Sequence, residues 1–519
     1  MANHKRKIDP SRDNKKITNG KEYLDSLRGR GLDVYLFGDK VENPVDHPII
    51  RPSANALAET YDLGVSNPEL ATVISPYTKE RVSRFLHVSM SAHELVLQNK
   101  MQRRLGQLTG TCFQRCVGMD AFNSLFSVTY EMDEVLKTHY HKRLISFLTM
   151  MHKLNGVVGG AMTDVKGDRS LSPHQQKDKD LFVHVSRRTK EGVYIKGAKA
   201  HQTGTVNSHW MIVMPTMRLK KEDHDYAVIG AVPVDAEGIT YVCGRQSCDT
   251  RSMDEGTIDV GNAKYGGSEA MVLFDDVFIP NEFIFMDGEY DYAALLVERF
   301  TTYHRRSYVC KSGVGDALIG AAAAVSEMNG VPKASHIRDK LVEMSHLNET
   351  IYGTGIASSY QGYKTKSGCY ICDDMLSNVC KHHVTRFPFE ISRLAQDLAG
   401  GFVSTLPSEK DLNHPEIGGL LKKYLKGSET FSAEERIRIL RLIENMTMGR
   451  NAVGYLTESM HGAGSPQAQR IQIQRLMQVE YKKRLARVLA GLDVDKEDTN
   501  GLVNELGHYF ERVFKVEPN

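Results

Sequence analysis

Two cysteines stand four residues apart in "TCFQRC", Thr111 to Cys116. Positions i and i+4 of a helix share a face, so the spacing predicts that the sulfurs of Cys112 and Cys116 point the same way. Two thiolates so placed could bind one metal ion or one cluster. The same pair could be two small buried apolar residues, since free cysteine is often buried. A second constellation is "YHRRSYVCK", Tyr303 to Lys311, where His304, Tyr308 and Cys310 open the Gly- and Ala-rich "SGVGDALIGAAAA". Added to the first pair, it makes a possible set of three cysteines and one histidine, which suits zinc or an iron–sulfur cluster. The two halves lie far apart in the chain, which argues against a local zinc knuckle and for a site built between domains. Taken alone, His304 could be a satisfied histidine at a helix start and Cys310 a core thiol.

Other stretches carry weaker signals. "GVGDALIG" holds Gly313 and Gly315 but follows no strand and lacks the full dinucleotide pattern, so it is not read as a Rossmann fingerprint. "CYIC", Cys369 to Cys372, is a CxxC without a second CxxC or a thioredoxin-like context, and a structural role fits it better. "GAMTDVKGDRS" (Gly160 to Ser170) and "AKAHQTGTVNSHW" (Ala198 to Trp210) are polar stretches flanking strands. Each could be a surface turn; together they suggest the walls of one cleft. "TESMHGAGSPQ" (Thr457 to Gln467) interrupts a helical pattern with Glu458, His461 and small residues. It could be a turn between helices or a ligand contact.

The elements that must position these groups fall into three blocks. From about Glu22 to Gly156 apolar residues recur at three- and four-residue intervals, as in "HKRLISFLTMMHKL". From about Gly159 short β-branched runs such as "HWMIVMPT" and "EAMVLFDDVFIP" read as strands. After Pro280 the helical period returns, and "AEERIRILRLIENMTMG" and "SPQAQRIQIQRLMQVEYKKRLARVLAGL" each read as a long amphipathic helix. Strands gathered in one block do not suit a doubly wound parallel sheet. The expected layout is a basic flexible tail over 1–20, a helical domain over 21–156, a β domain over 157–285 and a helical bundle over 286–519.

Composition sets the class. The 519 residues are 41% hydrophobic and 25% charged, with a net charge of +2. That is an ordinary globular balance without the basic field that nucleic acid would ask for. The opening "MANHKRKIDPSRDNKK" has no apolar signal region, and no stretch approaches the roughly 18 apolar residues of a membrane span. These features predict a cytoplasmic protein with no nucleic-acid or membrane partner. Its eight cysteines should then be reduced.

Taken together, the quoted stretches resemble one family. With "DHPIIRPS", "TCFQRCVGMDAF", "GRQSCDTR" and "ASHIRDKLVEMSHLNET", they are similar to the 4-hydroxybutyryl-CoA dehydratases of the 4-hydroxyphenylacetate 3-monooxygenase group of flavoproteins. The resemblance covers nearly the whole chain after the basic tail. It implies an α+β, acyl-CoA dehydrogenase-like fold: an N-terminal helical domain, a middle β domain and a C-terminal helical bundle. It also implies FAD and a [4Fe-4S] cluster in one site, an acyl-CoA substrate and a homotetramer. Carried over residue by residue, the cluster ligands fall on Cys112, Cys116, His304 and Cys310. Flavin contacts fall on Met162, Thr163, Asp164, Lys166, Gly167, Asp168 and Arg169, and on His201, Gln202 and Thr203. Glu269, Tyr308, Lys311 and Glu458 match residues that act on or orient substrate, and His304 is expected to serve as base as well as ligand.

The implied activity is that of a hydro-lyase: radical dehydration of 4-hydroxybutyryl-CoA to crotonyl-CoA, with vinylacetyl-CoA Δ-isomerase activity beside it. The hydroxyl leaves C4, whereas the thioester acidifies only C2. Acid–base groups supply roughly 10²–10⁴-fold and do not suffice alone. An alternative within the same group is a reduced-flavin-dependent aromatic monooxygenase of the 4-hydroxyphenylacetate type, which has no need of Cys112, Cys116 and Cys310. A non-enzymatic helical scaffold with buried thiols would carry no chromophore.

Overall fold

A computed structural model describes residues 15–492 apart from Cys248 and Glu255. The first part of the expected tail, Cys248 and the end of the expected bundle therefore lie outside the described residues.

The N-terminal part carries helices α1 (Gly20–Leu27), α2 (Arg51–Ser66), α3 (Pro68–Ala71), α4 (Ala92–Thr109), α5 (Cys116–Leu136) and α6 (Tyr140–Leu154). It is not purely helical. It also holds strands β1 (Asp33–Leu36), β2 (Asp39–Lys40), β3 (Thr72–Ile74) and β4 (Arg81–Ser83). The four residues of β1 alternate exposed and buried, too short a run to stand out from the helical pattern around it. The middle contributes β5 (Val158–Ala161), β6 (His184–Arg188), β7 (Gly192–Thr203), β8 (Trp210–Val213), β9 (Val228–Pro233), β10 (Ile239–Cys243), β11 (Glu269–Pro280) and β12 (Ile284–Asp287). They form two sheets, ordered β2-β1-β10-β11-β7-β6 and β12-β9-β8-β5. Pairing is antiparallel except for β1 with β10 and β5 with β8. The β7–β11 register sets Thr203 opposite Glu269 at one end of the larger sheet.

The rest is helical: α7 (Ala293–Ser307), α8 (Cys310–Met328), α9 (Ser335–Tyr360), α10 (Asp374–Val384), α11 (Phe387–Ala399), α12 (Glu409–Leu412), α13 (Gly418–Leu425), α14 (Ala433–Thr447), α15 (Arg450–Ala452), α16 (Glu458–His461), α17 (Pro466–Leu476) and α18 (Val479–Leu489). A two-residue hairpin, β13 (Tyr363–Lys364) with β14 (Tyr370–Ile371), interrupts them. The expected single helix over 465–492 is two, because Gln478 between α17 and α18 adopts the left-handed φ of 49°.

One apolar core joins the N-terminal helices to both sheets; a second lies among α8, α9, α11 and α14. The helical run 290–328 is long and apolar enough by composition to cross a membrane, and 67% of its most apolar window is buried inside the fold. α8 crosses α4 closely. A Cβ at Gly313 would strike the Arg103 carbonyl, and one at Gly106 the Cys310 carbonyl. The glycine of "GVGD" therefore serves helix packing.

Candidate active site

The two cysteines of "TCFQRC" do not share a helix. α4 closes at Gly110, whose φ of 60° ends the helix in the left-handed manner that glycine allows. Cys112 lies in the following loop, Gln114 turns the chain with a φ of 58°, and Cys116 opens α5. The loop is pinned by Arg115, whose buried guanidinium donates to Thr60 Oγ1 at 2.8 Å and to the Gly156 carbonyl at 3.1 Å. It also lies 4.4 Å over the Tyr61 ring. His304 sits in the last turn of α7 rather than at a helix start, and Cys310 begins α8. The sulfurs converge by tertiary packing.

Cys310 acts on both Cys112 and Cys116, and Cys116 acts on Cys112. Burial drives the pKa of Cys112 well up, with further contributions from Glu458, Cys310 and Cys116. Burial likewise drives Cys116 up, and Cys310 and Asp120 add to it. Cys310, 7% exposed, is raised by burial and eased by Lys311. Two of the sulfurs already accept N–H groups: Gln102 Nε2 donates to Cys116 Sγ at 3.3 Å and the Gln114 amide to Cys112 Sγ at 3.4 Å. Among the described residues no three of His, Cys, Asp and Glu close around a single ion. The imidazole of His304 bonds Asp120 through Nδ1 at 2.8 Å and makes no other hydrogen bond among the described residues.

Beside the thiols lies a buried polar cluster. Lys311, 1% exposed on α8, is 3.0 Å from Glu458 Oε2 and also donates to the Gly454 carbonyl. Burial opposes its charge, but Glu458 first, then Cys310 and Cys112, hold its pKa well above the ordinary value. Glu458 heads α16, after a π-helical turn at Val453–Thr457 that offsets the last helix in register. Such turns recur at functional sites. Its Oε1 is buried and receives no N–H. Glu269 reaches the same carboxylate from β11. Burial, then the charge of Glu458, push Glu269 well above the usual carboxylate range, while a 2.6 Å hydrogen bond from Thr203 Oγ1 pulls it down. One carboxyl of the pair therefore holds a proton.

Tyr308 stands between α7 and α8 with two lysine amino groups over its ring, Lys381 at 4.5 Å and Lys311 at 5.4 Å; burial, then Lys311 and Arg305, push the pKa of Lys381 well down. Its hydroxyl lies so close to Gly462 that a Cβ there would collide with it, which accounts for the first glycine of "HGAG". Burial keeps Tyr308 protonated.

The sheet side carries the expected flavin loops. The Met162 amide donates to Gln202 Oε1 at 2.9 Å, and the Ala200 amide to the Thr163 carbonyl at 2.8 Å, so the two polar stretches form one surface. Asp164 is engaged within the fold: its carboxylate is 2.9 Å from buried Lys199 and accepts the Val183 amide. Gly167 turns the loop with a φ of 48°, and Asp168 accepts the Ser170 amide and hydroxyl. Lys166 is half-buried, and Arg169 is exposed. His201 meets His461 edge to face at 5.2 Å, linking this surface to α16.

Of the residues singled out from sequence, the fold brings Cys112, Cys116, Cys310, Lys311, Tyr308, Glu458, Glu269 and Thr203 into one neighbourhood, with His304 beside Tyr308. Cys369 and Cys372 are fully buried beside β14, as a structural role requires. Three groups were missed: Asp120, Lys381 and Gln102. Asp120 had a signal, since it follows Cys116 by four residues on one helix; Lys381 and Gln102 had none. Surface clefts of about 360 Å³ beside Phe37 and His47 and about 290 Å³ beside Lys16 and Arg81 share no lining residue with this cluster.

The chain is similar to known proteins over most of its length. The profile of the 4-hydroxyphenylacetate 3-hydroxylase N-terminal region matches residues 19–286, and that of its C-terminal region matches 293–491. The 4-hydroxybutyryl-CoA dehydratase/vinylacetyl-CoA-Δ-isomerase of Clostridium aminobutyricum is 51% identical over 92% of this chain and 100% of its own. A solved structure of an oxygen-tolerant archaeal 4-hydroxybutyryl-CoA dehydratase from N. maritimus is 63% identical, covers 97% of this chain and 100% of its own, and has a TM-score of 0.93. The oxygenase component of 4-hydroxyphenylacetate 3-monooxygenase, solved with FAD and 4-hydroxyphenylacetate, shares the fold at 20% identity, with a TM-score of 0.81 over 92% of this chain and 99% of its own. The chain belongs to the 4-hydroxyphenylacetate 3-hydroxylase family, within its 4-hydroxybutyryl-CoA dehydratase branch.

Proposed function

We propose that this chain dehydrates 4-hydroxybutyryl-CoA to crotonyl-CoA and isomerises vinylacetyl-CoA, using FAD and a [4Fe-4S] cluster. The observation that carries the reading is the meeting of three buried thiols with the Lys311–Glu458–Glu269 group, in a chain 51% identical to a dehydratase of that activity. Cys112, Cys116, Cys310 and His304 would hold the cluster. The donor chemistry fits: thiols beside N–H donors, and an imidazole with one nitrogen open. FAD would lie against Met162–Thr163 and His201–Thr203. Asp164, Gly167 and Asp168 shape the loop there, and Lys166 and Arg169 stand at its rim. The buried, unpaired oxygen of Gln114, near Gly204, offers an acceptor on the same side.

When bound, the flavin supplies one-electron chemistry and the cluster an electrophilic iron. The chain supplies the rest. Glu458, paired with Lys311, takes the proton from C2 of the thioester. Glu269 and Tyr308 keep their protons through burial and donate hydrogen bonds to substrate oxygen. His304 has only Nε2 available, because Asp120 occupies Nδ1; binding iron and accepting a proton compete for one atom. The 450–454 turn packs on the loop, where a Cβ at Gly454 would meet Thr111 and Cys112.

The acyl-CoA dehydrogenase-like division into domains 21–156, 157–285 and 286–519 belongs to the same reading, as do a homotetramer and a cytoplasmic setting. The order of elements supports the division. An aromatic monooxygenase would leave the three thiols without a purpose. The test is anaerobic purification, with iron, sulfide and FAD counted per chain and crotonyl-CoA measured from 4-hydroxybutyryl-CoA. Flavin with no iron, and no crotonyl-CoA, would overturn the proposal.

A further inference from the structure

Asp120 is wholly buried on α5, one turn after Cys116, so its carboxylate and that thiol leave the same helix face. Its oxygens are divided between neighbours. Oδ2 accepts from His304 Nδ1 at 2.8 Å; Oδ1 accepts from Ser307 Oγ at 3.0 Å and faces Arg306 Nη2 at 4.0 Å. A carboxylate is acceptor-only, so in the neutral ring Nδ1 is the protonated nitrogen and Nε2 carries the lone pair. The ring is also fixed in rotation. Phe300 stacks on it at 5.4 Å and 19°, and Tyr308 meets it edge to face at 5.4 Å and 78°. Tautomer and orientation are thus both set, and the nitrogen left over makes no hydrogen bond among the described residues.

We propose that Asp120 is a positioning residue: it fixes the Nδ1–H tautomer of His304 and so presents Nε2 as the single non-thiolate ligand of the cluster. This rests on the cluster reading above. A carboxylate behind a ligating histidine orients it and raises its basicity, and loss of such a partner costs about 10–100-fold in metal affinity or activity. The carboxylate also stands close enough to Cys116 and Cys310 for its charge to act on them. It therefore adds negative charge beside the cluster, which makes the cluster harder to reduce.

The test compares wild type, Asp120→Ala and Asp120→Asn, purified anaerobically, with FAD content as the check on folding. Three quantities are read: iron and sulfide lost to a chelator, the nitrogen coupling of isotope-labelled histidine in pulsed EPR of the reduced cluster, and the cluster's reduction potential. Asp120→Ala should lose iron roughly 10–100-fold faster and lose or weaken the histidine coupling. Asp120→Asn keeps an oxygen for Nδ1–H; it should recover the coupling but shift the potential upward. A packing role alone would lower stability and leave coupling and potential unchanged, and that result overturns the proposal. If Asp120→Ala does not fold, Asp120→Val, which fills the site but offers no acceptor, decides: a histidine coupling equal to wild type's overturns it. Flavin-loaded wild type without iron or sulfide would instead overturn the cluster reading and, with it, this one.

Discussion

The polar groups of the sheet edge and those of the helix junction look alike in sequence and differ in what the fold does with them. At the sheet edge, Asp164 is tied to Lys199, Asp168 to Ser170, and Gln202 to the Met162 amide. Those side chains hold the loop in shape. At the junction, Glu458 Oε1 receives no N–H, Nε2 of His304 makes no hydrogen bond among the described residues, and two carboxyl groups are forced together. Buried polar groups are nearly always satisfied, and leaving one unpaired costs about 1–3 kcal/mol. A fold that keeps such a group has stability to gain by replacing it. Glu458 Oε1 is such an atom, and a bound ligand could supply its partner. The sheet edge is held mainly by its own bonds, with Gln114 Oε1 left over beside it; the junction keeps Glu458 Oε1 without an N–H.

That contrast can be broken. The largest effect should come from Cys112→Ala: cluster iron and sulfide fall and dehydration is lost, while FAD remains. Full iron content in this variant would remove Cys112 from the ligand set. Next is Glu458→Gln, which keeps the shape and removes the charge paired with Lys311. Turnover should fall by roughly 10²–10⁴-fold with iron and flavin intact. A loss below tenfold would show that Glu458 only packs.

Asp164→Asn tests the other side. Breaking a buried ion pair costs about 3–5 kcal/mol; Lys199 loses its counter-ion and keeps only the Met162 and Met214 carbonyls. Denaturant unfolding should show that loss, whereas iron per folded chain should not change. Unaltered stability would mean that Asp164 is not the anchor described.

The smallest effect is a pH dependence. Glu269 is raised in the folded protein, so its contribution to stability is present below the ordinary carboxylate range and is lost as pH rises through the raised value. Glu269→Gln fixes the neutral form. It should melt higher than wild type at mildly alkaline pH, and the gap should close on acidification. A gap that stays constant with pH would place the ionised form of Glu269 in the resting protein.

Periodicity made the order of helices, strands and helices legible, because each block buries one face and so repeats its apolar residues at 3.6 or 2. It passed over β1, where four residues carry too little pattern, and it ran α17 and α18 together, because nothing in "RLMQVEYKK" marks the positive φ of Gln478. At the site, residue type alone singled out the cysteines, His304 and Glu458. The geometry expected for them was wrong in two places. Gly110 ends α4 before Cys112, and His304 closes a helix instead of opening one. A helix face is a local property, and a single C-cap glycine removes it.

Local chemistry was enough to settle which residues could bind metal, carry a proton or hold a turn, since those capacities belong to side chains. The packing of distant segments decided which capacities remain in use. Lys199 and Asp164 neutralise each other because β7 runs beside the 162–169 loop; Lys311 meets Glu458 because α8 lies under α16. Lys381 and Asp120 enter the site only through α10 and α5. Each of these pairings joins residues far apart in the chain, and a charge or an open nitrogen is defined by what surrounds it, so the division between satisfied cradle and unsatisfied centre came into being only when the chain was folded.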